Sequence, residues 1–493
     1  MVLVETRQFA AGQIYQYASL SHCWGKTHVV QTTKKTLSKS MKGIKWDSLP
    51  RTYQDAIIIC RALGIRYLWI DSLCIVQDDI HDWNKESVRM AAIYSNSSIN
   101  IAATGAFDSR GGCFSLRRSK HVGPGREINS IPIEIRLDSK KPAVFVRPSL
   151  ESVHHRFSTN SSYITDLPDS ITVPLLSRAW VFQERFLAPR TLHFHPSEMV
   201  MECKCGFSCE CSGLDKAVAV SRRNSLETNS DRTRIFDSWF TVVEEYSRLR
   251  ISRDSDRLPA LTGVATVFQK KLQCHYLAGL WENDIARGLL WDVTRYECTR
   301  SERHIRRHPY APTWSWASLI IKTEGPGIIF SAGHDETFKV DEKFALLDTD
   351  IPFSATDPIL GSTTGSICIR GSNIAAILDP QSELCSPLQD AVVICDQYFE
   401  DYVLITITDM NVDCTWKSPA SCPLEPGSTV NCVLVGCKVD NDWESGKKTP
   451  YSCTVVLKQS ISDEQVFERI GVLAFENDSG ALYNVSESIF KII

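Results

Sequence analysis

Hydrophobic positions change period repeatedly between residues 15 and 104, and each change predicts a new element. The run "YQYASLSHC" (15–23) is β-rich and closes on "WGK", where Gly25 permits a sharp turn. In "LPRTYQDAIIICRALGI" (49–65), Tyr53, Ala56, Ile57, Cys60 and Leu63 share one helical face, with Pro50 near the first helical position and Gly64 at the end. "RYLWIDSLCIV" (66–76) is almost continuously apolar, the pattern of a parallel strand buried on both faces. A second amphipathic helix, "DDIHDWNKESVRMAAIYSNS", leads into a third buried strand, "SINIAAT" (98–104). Strands alternating with helices predict a doubly wound parallel sheet, in which Ser19–Cys23, Tyr67–Asp71 and Ile99–Ala103 are neighbouring parallel strands.

From 105 to 176 the pattern is lost in "SRGGC", "GPG" and "STNSSYITDLPDS", which reads as an insertion or long loop. Order resumes in "RAWVFQERFLAPRTLHF" (178–194), a helix ended by Pro189 and followed by an alternating strand. One stripe of that helix carries Trp180, Gln183, Glu184 and Leu187, so two polar groups fall where a buried face is expected. Further on, Ile235, Trp239, Val242 and Tyr246 mark a helix, and the segments after residue 325 are short strands separated by turns. The expected division is an α/β domain over 1–215 with its insertion, a helical region over 216–324 and a β-rich domain over 325–493.

Composition narrows the classes. With 493 residues, 43% apolar and 23% charged, the chain is long enough for about three domains with true cores. A formal net charge of −4 gives no general attraction to nucleic acid or anionic membrane. The 18 cysteines, with no secretory segment in "MVLVETRQFAAGQ", read as reduced thiols of a cytoplasmic protein. No apolar run reaches membrane-spanning length; "YLWIDSLCIV" is broken by Asp71.

The motifs "YASLSHCWG", "LPRTYQDAIIICRALGIRYLWIDSLCIVQDDIHDWNKE", "MAAIYSNSSINIAA", "RAWVFQERFLAPRTLHF", "DRLPALTGVA" and "PTWSWAS", in this order over about residues 1–320, resemble the fungal heterokaryon-incompatibility (HET) domain and its flanks. The resemblance implies a fungal source and an effector of nonself recognition and regulated cell death. More distantly, the chain resembles Toll/interleukin receptor (TIR) domains, flavodoxin-like modules of which many cleave NAD. Their glutamate motif, approximately S-x-W-C-x-x-E-L, is matched by Ser177, Trp180 and Glu184 if one residue is inserted, with Val181 in place of the cysteine. That likeness implies a TIR-like parallel sheet and a hydrolase for which NAD is substrate and no separate cofactor is needed.

Ligands of doubly wound sheets bind beyond the carboxyl ends of the strands. Three segments deliver residues there: "SHCWGK" with Trp24, Gly25 and Lys26, "DSLCIVQDD" with Asp71 and Ser72, and the helix bearing Trp180 and Glu184. A nicotinamide leaving group departs neutral, so one carboxylate that stabilises the ribosyl cation suffices without a general acid. Glu184 is the candidate for it; its competing role is a structural ion pair with Arg178, Arg185 or Arg190. Trp24 or Trp180 is suited to stacking on an aromatic ring and Lys26 to meeting a phosphate. Asp71 is equally suited to a ribose hydroxyl or to capping its own turn. Cys203, Cys205, Cys209 and Cys211 form a C-x-C-x3-C-x-C array unlike the separated knuckles of zinc sites, so free thiols and no metal are expected. His193 and His195 read as a half-exposed polar face, and "PTWSWAS" as packing. Without a G-x-x-x-x-G-K-[ST] loop, a trigger has to come from a protein partner or from self-association. The competing functions are a non-catalytic signalling module and a small-molecule enzyme that reuses the same pocket.

Overall fold

The apolar faces legible in the sequence are the ones that pack. In a computed structural model the chain is described over residues 1–10, 12–25, 30–114, 133–135, 144–146, 150, 154, 157, 173–214, 231–293, 305–307, 310–321, 327–330, 332–351, 365–379, 398–399, 402–406, 411–412, 429–441, 446–460, 463–476 and 486–493. It divides into two compact units, Met1–Asn229 and Ser230–Ile493.

In the first unit, strand β1 (Tyr17–Ser21) leads to helix α1 (Arg51–Ala62), strand β2 (Tyr67–Trp69), helix α2 (Ile80–Ser95) and strand β3 (Ile99–Ala102). Helix α3 (Ala179–Leu187) then leads to strand β4 (Arg190–Phe194) and the hairpin of β5 (Met199–Cys203) and β6 (Gly206–Cys209). The sheet order is β2-β1-β3-β4-β5-β6. The first four strands are parallel, with Ala18 opposite both Leu68 and Ile99 and Asn100 opposite Thr191; β5 and β6 add on antiparallel. The three strands expected as parallel neighbours therefore are so.

Helix α1 starts behind Pro50, whose extended backbone suits the N-cap, and buries Tyr53, Ala56, Ile57 and Cys60 with Ala18, Leu20 and Ile101. Helix α2 is capped by Asp79, which accepts from the His81 N–H, and packs against α3. The expected strand through Asp71 stops at Trp69, because Asp71 turns its carboxylate onto the Ser72 N–H and opens a helical turn, Asp71–Cys74. Most of the expected 105–176 insertion lies outside the described residues.

The second unit holds helices α4 (Arg232–Ser247) and α5 (Thr262–Leu272), then strands β7 (Ser366–Asp379), β8 (Thr429–Asn441), β9 (Lys448–Gln459), β10 (Val466–Glu476) and β11 (Ser486–Ile492). Strand β7 pairs with both β11 and β8, so the chain of pairings β8-β9-β10-β11 closes on itself as a small barrel. Val433, Val435, Val455 and Ile369 are buried in it. The tryptophans of "PTWSWAS" are buried too: Trp316 donates to Gly279 O at 3.0 Å, and Trp291 to Trp314 O at 2.9 Å. The fully buried Arg469 stacks over Trp291, 3.5 Å from the ring centroid. Among the described residues no helix is long and apolar enough to cross a membrane.

Candidate functional site

Right-handed crossovers fix where a ligand can sit on such a sheet. The step from β1 to β2 moves one way and the step from β2 to β3 the other, so α1 and α2 cover opposite faces. The crossover direction reverses between β1 and β3, and beyond the carboxyl ends of the strands at such a point is where sheets of this kind bind their ligands. Ser21 ends β1 at this position, with Ala102 of β3 opposite it.

A buried polar cluster gathers at this end of β1. The hydroxyls of Ser19 and Ser21 donate to Asn100 Oδ1 at 3.1 and 3.2 Å. Ser21 is also hydrogen-bonded to the Glu184 carboxylate, and Tyr94 of α2 donates a further bond to it. Glu184 is 6% exposed, which excludes a surface ion pair. Burial pushes its carboxyl up to about 7; the Ser21 bond opposes, the Asp71 charge adds, and Tyr94 and Arg178 pull back. The other arginines once open to it are engaged elsewhere: Arg185 pairs with Glu202, and Arg190 donates to Ser98 O. Arg178 donates to the His22 carbonyl at 3.1 Å.

On the rim, Trp24 Nε1 donates to Asp71 Oδ2 at 2.8 Å, while Asp71 Oδ1 receives the Ser72 N–H at 2.6 Å. Two loop segments and an indole are thus fixed by one carboxylate. Behind them, the Ser72 hydroxyl shares a 2.6 Å bond with Tyr53, whose hydroxyl is 3.0 Å from His22 Nε2. Burial holds the His22 pKa down, with Asp71 opposing and Arg178 assisting, so the imidazole is neutral. Burial also raises the Cys23 thiol, against the pull of Arg178, and the thiol stays protonated. Gly25 has φ +79°, and a Cβ there would lie 2.4 Å from Asp108 Cβ, so only glycine permits this approach of the two loops. The partner loop is held from beneath: Thr52 accepts from Gly112 N–H and Asp55 from Cys113 N–H.

The structure therefore brings Trp24, Asp71 and Ser72 together, sets Glu184 under the same edge, and leaves Trp180 half-buried on the first turn of α3. Lys26 lies outside the described residues. Sequence reasoning missed Ser19, Ser21, Asn100 and Tyr94, although Ser19, Ser21 and Asn100 are polar positions inside apolar strands, the signal that marks Glu184. His193 and His195 are buried, not half-exposed. His193 bonds Thr104 on one side and Glu202 on the other, both at 3.0 Å. Burial alone would raise the Glu202 carboxyl, but the Arg185 charge and the His193 bond bring it down to about 2. Glu202 is thus the ionised partner of Arg185, and His193 stays neutral. The cysteine array does not converge: Cys205 is exposed, and only Cys209 and Cys211 join a cluster of potential metal ligands among the described residues.

No curated protein and no solved structure matches the chain. Residues 17–184 match the family model of the heterokaryon incompatibility protein (HET), from the first residue of β1 to the buried glutamate itself. Strands β1 to β3 and the polar cluster of Ser19, Ser21, Tyr94, Asn100 and Glu184 fall inside that match, so the N-terminal unit carries a heterokaryon-incompatibility (HET) domain over residues 17–184.

Proposed function

We propose that this HET domain is a TIR-like effector module of nonself recognition and regulated cell death, and that it hydrolyses the nicotinamide–ribose bond of NAD with Glu184 as the catalytic carboxylate. The observation that carries the reading is Glu184 itself: a desolvated carboxylate with a pKa raised to about 7, bonded to Ser21 at the end of β1, where the crossover direction reverses. A structural helix has no need of a charge in that position. In the reaction the bond between nicotinamide nitrogen and ribose C1′ breaks, its electron pair leaves with nicotinamide, and the pyridinium charge is neutralised. The ribosyl cation is met by the Glu184 carboxylate and captured by water, which releases a proton and ADP-ribose. Trp24, held by Asp71, supports the stacking role, and Asp71 keeps lone pairs for a ribose hydroxyl.

A second reading rests on a different observation. Ser21 and Tyr94 already hydrogen-bond Glu184, which suits a non-catalytic module whose cluster only fixes α3 to the sheet and which acts through self-association. The experiment that separates the two compares wild type and Glu184→Gln for nicotinamide release from NAD and for toxicity on overexpression. Toxicity with NAD loss, both abolished in the variant, supports hydrolysis. Toxicity without NAD loss supports the module.

A further inference from the structure

A second constellation lies on the far side of the same unit, at the β5–β6 hairpin. The tight turn closed by His195 N–H to Glu198 O sets Glu198 immediately before β5. Across the hairpin, Val200 pairs with Cys209, and Cys211 follows in the turn after β6. Glu210 binds this turn back to β5 by accepting from Met199 N–H at 2.9 Å. His154, distant in sequence, completes the group, and one potential ligand atom from each of His154, Glu198, Cys209 and Cys211 lies within 4.8 Å of all the others.

The geometry points to a structural zinc site with these four ligands. Zn–S distances of about 2.3 Å and Zn–N or Zn–O distances of about 2.0–2.1 Å put the edges of a tetrahedral site at about 3.3–3.8 Å. Cys209 Sγ is 3.4 Å from Cys211 Sγ and 3.8 Å from His154 Nε2, and Cys211 Sγ is 3.3 Å from the same nitrogen. The His154–Glu198 edge, at 2.5 Å, is the short one, and an ion between the two groups separates them by less than about 1 Å to reach the tetrahedral value.

Three further features belong to a built site. Glu198 is 0% exposed, yet its Oε2 is buried with no hydrogen-bond partner, an acceptor left over for an ion. The sulfurs receive backbone N–H groups, Cys209 from Leu214 at 3.4 Å and Cys211 from Gly213, which is how a loop supports coordinating thiolates. Ser212 takes a left-handed φ of 59°, and a Cβ on Gly213 would lie 2.7 Å from His154 Cε1, so the loop is drawn tightly around the imidazole. Two thiolates, an imidazole and a carboxylate with no fifth position are a closed, soft-to-borderline donor set, which selects zinc over calcium or magnesium. The ion would tie the 154 segment to the hairpin at the antiparallel edge of the sheet. It is independent of any activity at Glu184.

The test is the zinc content of the full chain, purified without chelator, together with the spectrum of chelator-stripped protein reloaded with Co²⁺ alone. We expect about one zinc per chain, at least a tenfold loss in Cys209→Ser/Cys211→Ser, and no loss in Cys203→Ser/Cys205→Ser. Because the first variant can lose metal by unfolding, the Co²⁺ spectrum is read on wild type, where strong tetrahedral d–d bands and thiolate charge-transfer bands are expected. Metal-poor wild type without thiolate–cobalt bands overturns the site. So does full zinc in Cys209→Ser/Cys211→Ser, loss in Cys203→Ser/Cys205→Ser, or a Cys209–Cys211 disulfide in the protein as purified.

Discussion

The hydroxyl of Ser21 bonds the carboxylate of Glu184 across 163 positions of sequence, joining the last residue of β1 to the middle of α3. This contact places a titratable group in a desolvated position, and its linkage to folding has a definite sign. The folded-state pKa of Glu184, about 7, is above the ordinary 4.5. The folded protein therefore holds a proton that the unfolded chain has released, and stability is lost as pH rises from about 4.5 through 7.

Glu184→Gln removes that loss. At pH 8 the variant is expected to be more stable than wild type by on the order of 2–3 kcal/mol, with the difference vanishing at pH 4. Urea denaturation at the two pH values measures it; a variant destabilised equally at both would show the charge is already compensated in the fold.

Glu202 has the opposite sign. Its folded pKa of about 2 lies below the ordinary value, so its contribution is present above about pH 4.5 and is lost as pH falls toward 2. Glu202→Gln should cost on the order of 2–3 kcal/mol at pH 7, and the gap to wild type should shrink steadily below pH 4.5. Chemical denaturation across that range reads the slope directly.

The bond from Trp24 to Asp71 is the rim's main tie. Trp24→Phe is expected to cost about 1–2 kcal/mol, the range of a partly buried hydrogen bond to a charged group. The double variant with Asp71→Asn should cost less than the sum of the two single changes. Strict additivity would mean that the two side chains do not hold each other.

Two glycines with positive φ provide a paired test of the loop geometry. At Gly64 (φ +70°) an added Cβ meets nothing, whereas at Gly25 (φ +79°) it strikes Asp108. Gly64→Ala should cost about 1 kcal/mol from backbone strain alone. Gly25→Ala should cost more and shift the loop carrying Asp108, which a comparison of thermal midpoints and of protease cleavage near residue 108 would reveal.

How much of this was legible beforehand follows from which interactions are local. Helices and strands of the first unit were readable, because Tyr53, Ala56, Ile57 and Cys60 keep helical spacing and Ile99–Ala102 is uniformly buried. Glu184 stood out as a carboxylate on an apolar stripe. What could not be read was pairing over long separations. Nothing near Ser21 announces Glu184, and nothing near Cys209 announces His154, 55 positions away, whose imidazole lies 3.8 Å from its sulfur. Strand β2 was overextended because the apolar run continues beyond Trp69, while the Asp71 side chain, bonding to Ser72 and Trp24, ends it.

The central claim is that the charged form of Glu184 stabilises a ribosyl cation, and the pH profile of nicotinamide release from NAD tests it most directly. Initial rates for wild type should rise with pH through about 7, following ionisation of the buried carboxyl, and level off above it. Glu184→Gln should lower the plateau by on the order of 10²–10³ and lose the limb near 7, with its thermal midpoint no lower than that of wild type. A wild type that releases no nicotinamide at any pH, or a Glu184→Gln variant with the wild-type rate and profile, would contradict the account.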